Sequence, residues 1–238
     1  MGIFRLNRII MKKKILYFLP FIISFGSCKE EPKPKVKYDK PVKQVERKKD
    51  TTRLLVADLP IQFPTSNVLI YPIGELRVSD LKKGSYEGDK MDMNGFNVSS
   101  VLDEELTGYL QNIKFQEIGK DSLHVLTDKS VLIERMTYLK SKNILVYVMA
   151  DNDTNQDGKV DSYDVKSLYL STDLGDKFTK ISVDMQELID WNYVETANKI
   201  FFRTIDDRNK NGAFDKTDGL HYFYVDIKKD WVAQEFKM

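Results

Sequence analysis

Cysteine and histidine are nearly absent from this 238-residue sequence, which has one cysteine, Cys28, and two histidines, His124 and His221. A single cysteine cannot form an intramolecular disulfide or a thiolate zinc site. Two isolated histidines leave little material for an imidazole metal centre or an acid–base pair. The sequence also contains no HExxH motif and no GxSxG nucleophile elbow. We therefore predict that the protein is not an enzyme.

Basic side chains are also fewer than acidic side chains in residues 53–238, which make up most of the chain. Of the 37 basic and 36 acidic side chains, 23 and 31 lie in residues 53–238, which gives this part a net charge of −8. A nucleic-acid-binding surface needs clustered positive charge, so we predict no nucleic-acid partner. The length of residues 53–238 fits one domain.

The longest hydrophobic run is short. Ile15–Ile23 is about half of the roughly 20 residues that a membrane-spanning helix requires, so a transmembrane anchor is the less favoured alternative. Five basic residues precede this run, and small residues with Cys28 follow it. This order predicts a signal peptide over residues 1–27. Met11 is an alternative start, because the segment that follows it contains a complete signal.

The residues around the cleavage site, Phe25-Gly26-Ser27-Cys28, resemble a bacterial lipobox. The resemblance implies that Cys28 is lipidated, with palmitate or similar acyl chains, and that the protein is a membrane-anchored lipoprotein; an ordinary signal peptide is the alternative. Lys29-Glu30-Glu31 is similar to the export signal of Bacteroidota surface lipoproteins. This similarity implies the outer membrane and the cell surface, with the periplasmic face as the alternative. After Cys28, the Lys/Glu/Pro-rich residues up to 52 predict a disordered tether, because they have few apolar side chains to bury.

Residues 53–238 contain many short segments rich in β-branched and aromatic residues, separated by turn residues. This pattern predicts a mostly β domain of short antiparallel strands. Helical periodicity is scarce and is best at Val98–Leu110 and Met185–Ile189, where we expect short helices.

Two loops share one pattern of oxygen-bearing side chains around a glycine. In the first loop, positions 1, 3, 5, 9 and 12 are Asp153, Asn155, Asp157, Asp161 and Asp164, with Gly158 at position 6 and the carbonyl of Lys159 at position 7. In the second loop, the same positions are Asp207, Asn209, Asn211, Asp215 and Asp218, with Gly212 at position 6 and the carbonyl of Ala213 at position 7.

This spacing suits a hard cation. Calcium takes six to eight oxygen ligands at about 2.3–2.6 Å, and a tightly wound loop turns alternate side chains inward. We therefore predict two Ca²⁺ sites, of which the second is weaker because Asn211 replaces a carboxylate. The ligand order resembles EF-hand and dockerin-type loops.

The segments beside both loops predict strands, so we expect the loops at the tips of β-hairpins and not between helices. The repeated order of strand, loop and strand over residues 140–230 resembles blades of TolB-like and WD40-like propellers. That resemblance implies a small or partial β-propeller-like domain. An irregular β-sandwich is the alternative.

These features together predict an envelope-anchored, calcium-binding lipoprotein. We expect a binding or scaffold module with structural calcium, whose partner is an envelope protein or a polysaccharide. The alternatives are an envelope hydrolase without a recognisable motif and a dockerin-like assembly module. An acidic and histidine-containing pocket away from the loops would favour the hydrolase, and a helix after Asp164 would favour the dockerin.

Overall fold

The computed structural model describes residues 34–39, 53–77 and 97–238. The described residues all belong to one compact unit. The predicted signal peptide, the predicted lipidation site Cys28 and most of the predicted tether fall outside the described residues. Within the described ranges, no helix has the length and apolar character needed to cross a membrane.

The first sheet has nine antiparallel strands. They run in the order β1-β2-β4-β6-β7-β8-β9, and both β3 and β5 pair with β4. The strands are β1 (Arg53–Ala57), β2 (Val68–Arg77), β3 (Ser99–Leu102), β4 (Glu105–Glu117), β5 (His124–Val125), β6 (Leu132–Leu139), β7 (Ile144–Ala150), β8 (Lys166–Thr172) and β9 (Thr179–Lys180).

The second sheet is a four-stranded antiparallel meander in sequence order. It contains β10 (Gln186–Val194), β11 (Lys199–Asp206), β12 (Gly219–Asp226) and β13 (Gln234–Phe236), with a 3₁₀ helix, Glu195–Ala197, between β10 and β11. Within the described residues neither sheet closes into a barrel. The prediction of a mostly β domain of short antiparallel strands is confirmed.

Strand β7 joins the two halves of the core because both of its faces are buried. Leu145 and Tyr147 point into the first hydrophobic cluster, and Ile144 and Val146 point into the second. Side chains alternate between the two faces of a strand, so a strand buried on both faces must be apolar at nearly every position. The unbroken apolar sequence of β7 follows from this placement.

Two hydrophobic clusters lie on either side of β7 and β8. The first is built from β2, β4, β6 and one face of β7, with Phe63 from the loop before β2. The second packs the other face of β7 and β8 against the second sheet, including Phe202 and Phe223, whose rings stack at 5.1 Å between centroids. The two sheets therefore pack face to face through β7 and β8, as in a sandwich.

The prediction of two short helices is wrong. Val98–Leu110 contains β3 and the start of β4, joined at Asp103 with a left-handed φ of 53°. Met185 has a φ of 62°, and the residues after it belong to β10. Leu106 and Leu110 are both fully buried. Their spacing of four residues suits one face of a helix, but it also suits one face of a strand, since four is an even number.

Candidate metal-binding loops

Both acidic loops lie at the tips of β-hairpins, as predicted. The first connects β7 to β8, and the ladder beneath it closes at the pair Ala150 and Lys166. The second connects β11 to β12 and closes at the pair Asp206 and Gly219. The residues after Asp164 enter strand β8, so the helix that would have favoured a dockerin is replaced by a strand.

In the first loop, the carboxylates of two aspartates accept hydrogen bonds from backbone N–H groups. The N–H groups of Asp157 and Gly158 donate to the two carboxylate oxygens of Asp153 at 3.0 and 2.9 Å. Asp164 accepts from the N–H of Thr154 at 2.7 Å on one oxygen and from the N–H of Asp161 at 2.9 Å on the other. Position 12 thus joins the two ends of the loop, and position 1 holds its central turn.

The second loop repeats this arrangement. The N–H groups of Asn211 and Gly212 donate to Asp207 at 3.1 and 2.7 Å. Asp218 accepts from the N–H of Arg208 at 3.2 Å and from that of Asp215 at 2.9 Å. Each bond has its counterpart at the same loop position in the first hairpin.

The shorter hydrogen-bonded turns inside the two loops also occur at the same loop positions. In both loops the side-chain oxygens at positions 3, 5 and 9 each accept the backbone N–H of the residue two positions later. Positions 4 and 6 are left-handed in both, with φ of 58° and 88° at Gln156 and Gly158, and 58° and 82° at Lys210 and Gly212. Asp and Asn side chains stabilise such turns by accepting nearby backbone N–H groups. The alternating spacing therefore produces the same backbone fold twice.

The two loops differ in burial. Asp164 is fully buried, and burial raises its pKa to about 6 against the opposing effect of its backbone N–H donors. Its counterpart Asp218 is only half-buried. Asn155 is buried, whereas its counterpart Asn209 is exposed. Hydrogen bonds from Thr217 lower the pKa of the exposed Asp215.

No ion pair between described residues involves a carboxylate at the predicted ligand positions. The aspartates found just before the two loops, Asp151 and Asp206, do lie near basic side chains. Asp151 pairs with Lys180 at 2.7 Å and accepts the hydroxyl of Tyr169 at 2.7 Å. Asp206 lies 3.5 Å from the Nε2 of His221. The carboxylates at the predicted ligand positions therefore accept mainly backbone N–H groups. Among the described residues, the charge of Lys216 adds to the hydrogen bonds of Thr217 in lowering the pKa of Asp215.

The donor chemistry of both loops fits a hard cation, since every side chain at the predicted positions offers a carboxylate or amide oxygen. In the described part of the chain, however, no three side chains of histidine, cysteine, aspartate or glutamate converge as a metal-binding group. In each loop the carboxylate of position 1 accepts the N–H groups of positions 5 and 6, and that of position 12 accepts the N–H groups of positions 2 and 9.

Residues 34–39 are a feature that the sequence prediction missed. We call them the clasp. They lie against both loops, and Val36 is buried, so the prediction of a disordered tether is wrong for these six residues. The hydroxyl of Tyr38 donates to Asp207 at 2.9 Å, and burial together with this carboxylate raises the pKa of Tyr38. No local signal marks Val36 as buried, because its neighbours are proline and lysine.

The two histidines lie apart. His124 is on the exposed two-residue strand β5, 3.7 Å from Asp176, and His221 is on β12 beside Glu235. That the protein is not an enzyme stays a prediction.

Comparison with protein families, curated proteins and solved structures finds no match to this chain. The resemblances to lipoproteins, calcium loops and propeller blades therefore rest on the sequence motifs alone and remain predictions.

Proposed function

We propose that this chain is a calcium-binding lipoprotein of the bacterial outer membrane. Its β domain acts as a binding or scaffold module for an envelope protein or a polysaccharide, and calcium has a structural role. The observation that supports calcium binding best is the repetition, position by position, of one hydrogen-bonded turn in two loops that lie far apart in sequence.

Electrostatics supports the same proposal. The first loop places Asp153, Asp157, Asp161 and Asp164 within twelve residues of chain, and two of these side chains are buried. Like charges so close together repel one another, and a bound divalent cation removes this penalty. Calcium would be held by these carboxylates, by Asn155 and by the carbonyl of Lys159. Bound there, it would supply charge compensation and stiffness to the hairpin tip.

Thermal melting with and without calcium tests this proposal. Extracellular calcium modules bind at about 10⁻⁴–10⁻³ M, so saturating calcium should raise the melting temperature by roughly 3–10 °C. Asp153→Asn removes a charge and keeps only one of the two oxygens that accept the N–H groups of Asp157 and Gly158, and it should lose most of this shift. The matched control, Asp121→Asn, changes an exposed aspartate outside the loops and should keep it. A wild-type melting temperature that is identical in calcium and in EDTA contradicts the proposal.

The lipid anchor is supported by the lipobox-like residues that end at Cys28. Acyl chains on one residue hold a protein at a membrane, because each buried methylene contributes about 0.8 kcal/mol. Cys28→Ser should move the protein from the membrane fraction to the soluble fraction after cell lysis. Ser27→Thr, which leaves the thiol in place, serves as the matched control and should stay membrane-bound. Membrane retention of Cys28→Ser would count against lipidation.

A further inference from the structure

The clasp, residues 34–39, crosses from one loop to the other without regular secondary structure. It precedes β1 in the chain and contacts residues that lie more than a hundred positions later. Its central side chain, Val36, is 2% exposed, whereas the side chains of Lys37 and Tyr38 on its C-terminal side are exposed. The clasp therefore docks through its backbone, the buried side chain of Val36, the hydroxyl of Tyr38 and an ion pair of Lys35 with Glu187 at 2.5 Å.

The first loop receives the clasp at position 2. The N–H of Lys37 donates to the carbonyl of Thr154 at 2.9 Å, and the hydroxyl of Thr154 donates to the carbonyl of Lys35 at 2.7 Å. Thr154 also donates its own N–H to Asp164 at 2.7 Å. One residue therefore connects the clasp to the carboxylate that closes the first loop.

The second loop receives the clasp at positions 1 and 6. The N–H groups of Lys35 and Val36 donate to the carbonyl of Gly212 at 2.7 and 3.2 Å. The hydroxyl of Tyr38 donates to Asp207. A side chain at Gly212 would meet the carbonyl oxygen of Val36 at 2.4 Å, so glycine is required here for close approach as well as for its left-handed φ. The docking surface exists only while both loops hold this conformation.

We propose that docking of the clasp is linked to calcium: the ion-loaded loops bind residues 34–39, and the ion-free loops release them. This inference rests on the proposed function. Its physical basis is that most acceptors for the clasp belong to the loops themselves, namely the carbonyls of Thr154 and Gly212 and the carboxylate of Asp207. Glu187 of β10, which pairs with Lys35, is an acceptor outside the loops. Calcium, by fixing the loops, preserves the loop acceptors in their positions. Linkage is reciprocal, so a docked clasp must also raise the affinity of the loops for calcium.

Hydrogen exchange of the full-length mature lipoprotein in detergent tests this inference. In excess calcium the amides of Lys35, Val36 and Lys37 should exchange at least tenfold more slowly than in EGTA, while the amide of Leu145 in β7 stays protected in both. Equal exchange of the three clasp amides in both conditions, with calcium binding demonstrated by titration calorimetry, overturns the clasp and leaves the calcium sites standing. If calorimetry detects no calcium binding, the proposed function fails and the linkage fails with it.

A matched pair of variants tests the reciprocal effect. Val36→Ser removes the buried side chain and should weaken calcium binding about fivefold or more, with loss of clasp protection. Lys129→Ser changes an exposed side chain outside the clasp and both loops, so it should bind calcium as the wild type does. Retention of wild-type calcium affinity by Val36→Ser overturns the linkage, provided that protection at Leu145 shows the domain to be folded.

Discussion

Gly158 and Gly212 occupy the same position of the two loops but have different surroundings. Both are left-handed, with φ of 88° and 82°. A Cβ at Gly158 meets nothing within 4 Å, whereas one at Gly212 collides with the clasp at Val36 and Pro34. Replacing each glycine with alanine therefore distinguishes two effects: backbone strain alone at Gly158, and strain together with displacement of the clasp at Gly212.

We expect Gly158→Ala to lower the free energy of unfolding by about 1–2 kcal/mol, which is the strain of a left-handed alanine. Gly212→Ala should cost about 1.5–3 kcal/mol more, because the clasp leaves its place and Val36 loses its burial. Urea unfolding in saturating calcium measures both values. Equal losses would show that the clasp is not held at Gly212.

The place of both loops at hairpin tips could be predicted because the relevant information is local. A loop of twelve residues with oxygen acceptors at alternate positions determines its own turns, and Asp153 and Asp207 accept the N–H groups of positions 5 and 6 in both copies. Burial of the same residues is not local information. Asp164 is buried and Asp218 is not, since their surroundings come from other parts of the chain.

At the level of strands and segments, secondary structure was predicted correctly where the hydrophobic pattern of the sequence fits only one type of element. The apolar run of β7 and the alternation of β11 were assigned correctly, whereas the spacing of Leu106 and Leu110 fits a strand as well as a helix. The clasp could not be predicted, because proline- and lysine-rich sequence is typical of disordered tethers. Its order comes from acceptors as far as 169 residues away, which the segment itself does not reveal.

For the whole molecule, β7 and β8 determine how the two hydrophobic clusters unfold. Each cluster uses one face of β7, so neither can lose its packing without exposing the strand that the other requires. Both tryptophans, Trp191 and Trp231, pack against the second cluster only. Tryptophan fluorescence therefore reports on one cluster, whereas far-UV circular dichroism reports on both sheets.

We expect a single cooperative transition in which the two signals coincide in wild-type protein and in a variant of the first cluster. Leu106→Ala, in a fully buried position far from both tryptophans in sequence, should cost about 2–5 kcal/mol and shift both signals by the same amount. Leu102→Ala is the control, because that side chain is 74% exposed and should change stability by less than about 0.5 kcal/mol. If Leu106→Ala shifted circular dichroism but left the fluorescence midpoint unchanged, the clusters would be independent. In that case β7 would not transmit the stability of one cluster to the other, and the hairpin tips on β7–β8 and β11–β12 would be stabilised separately.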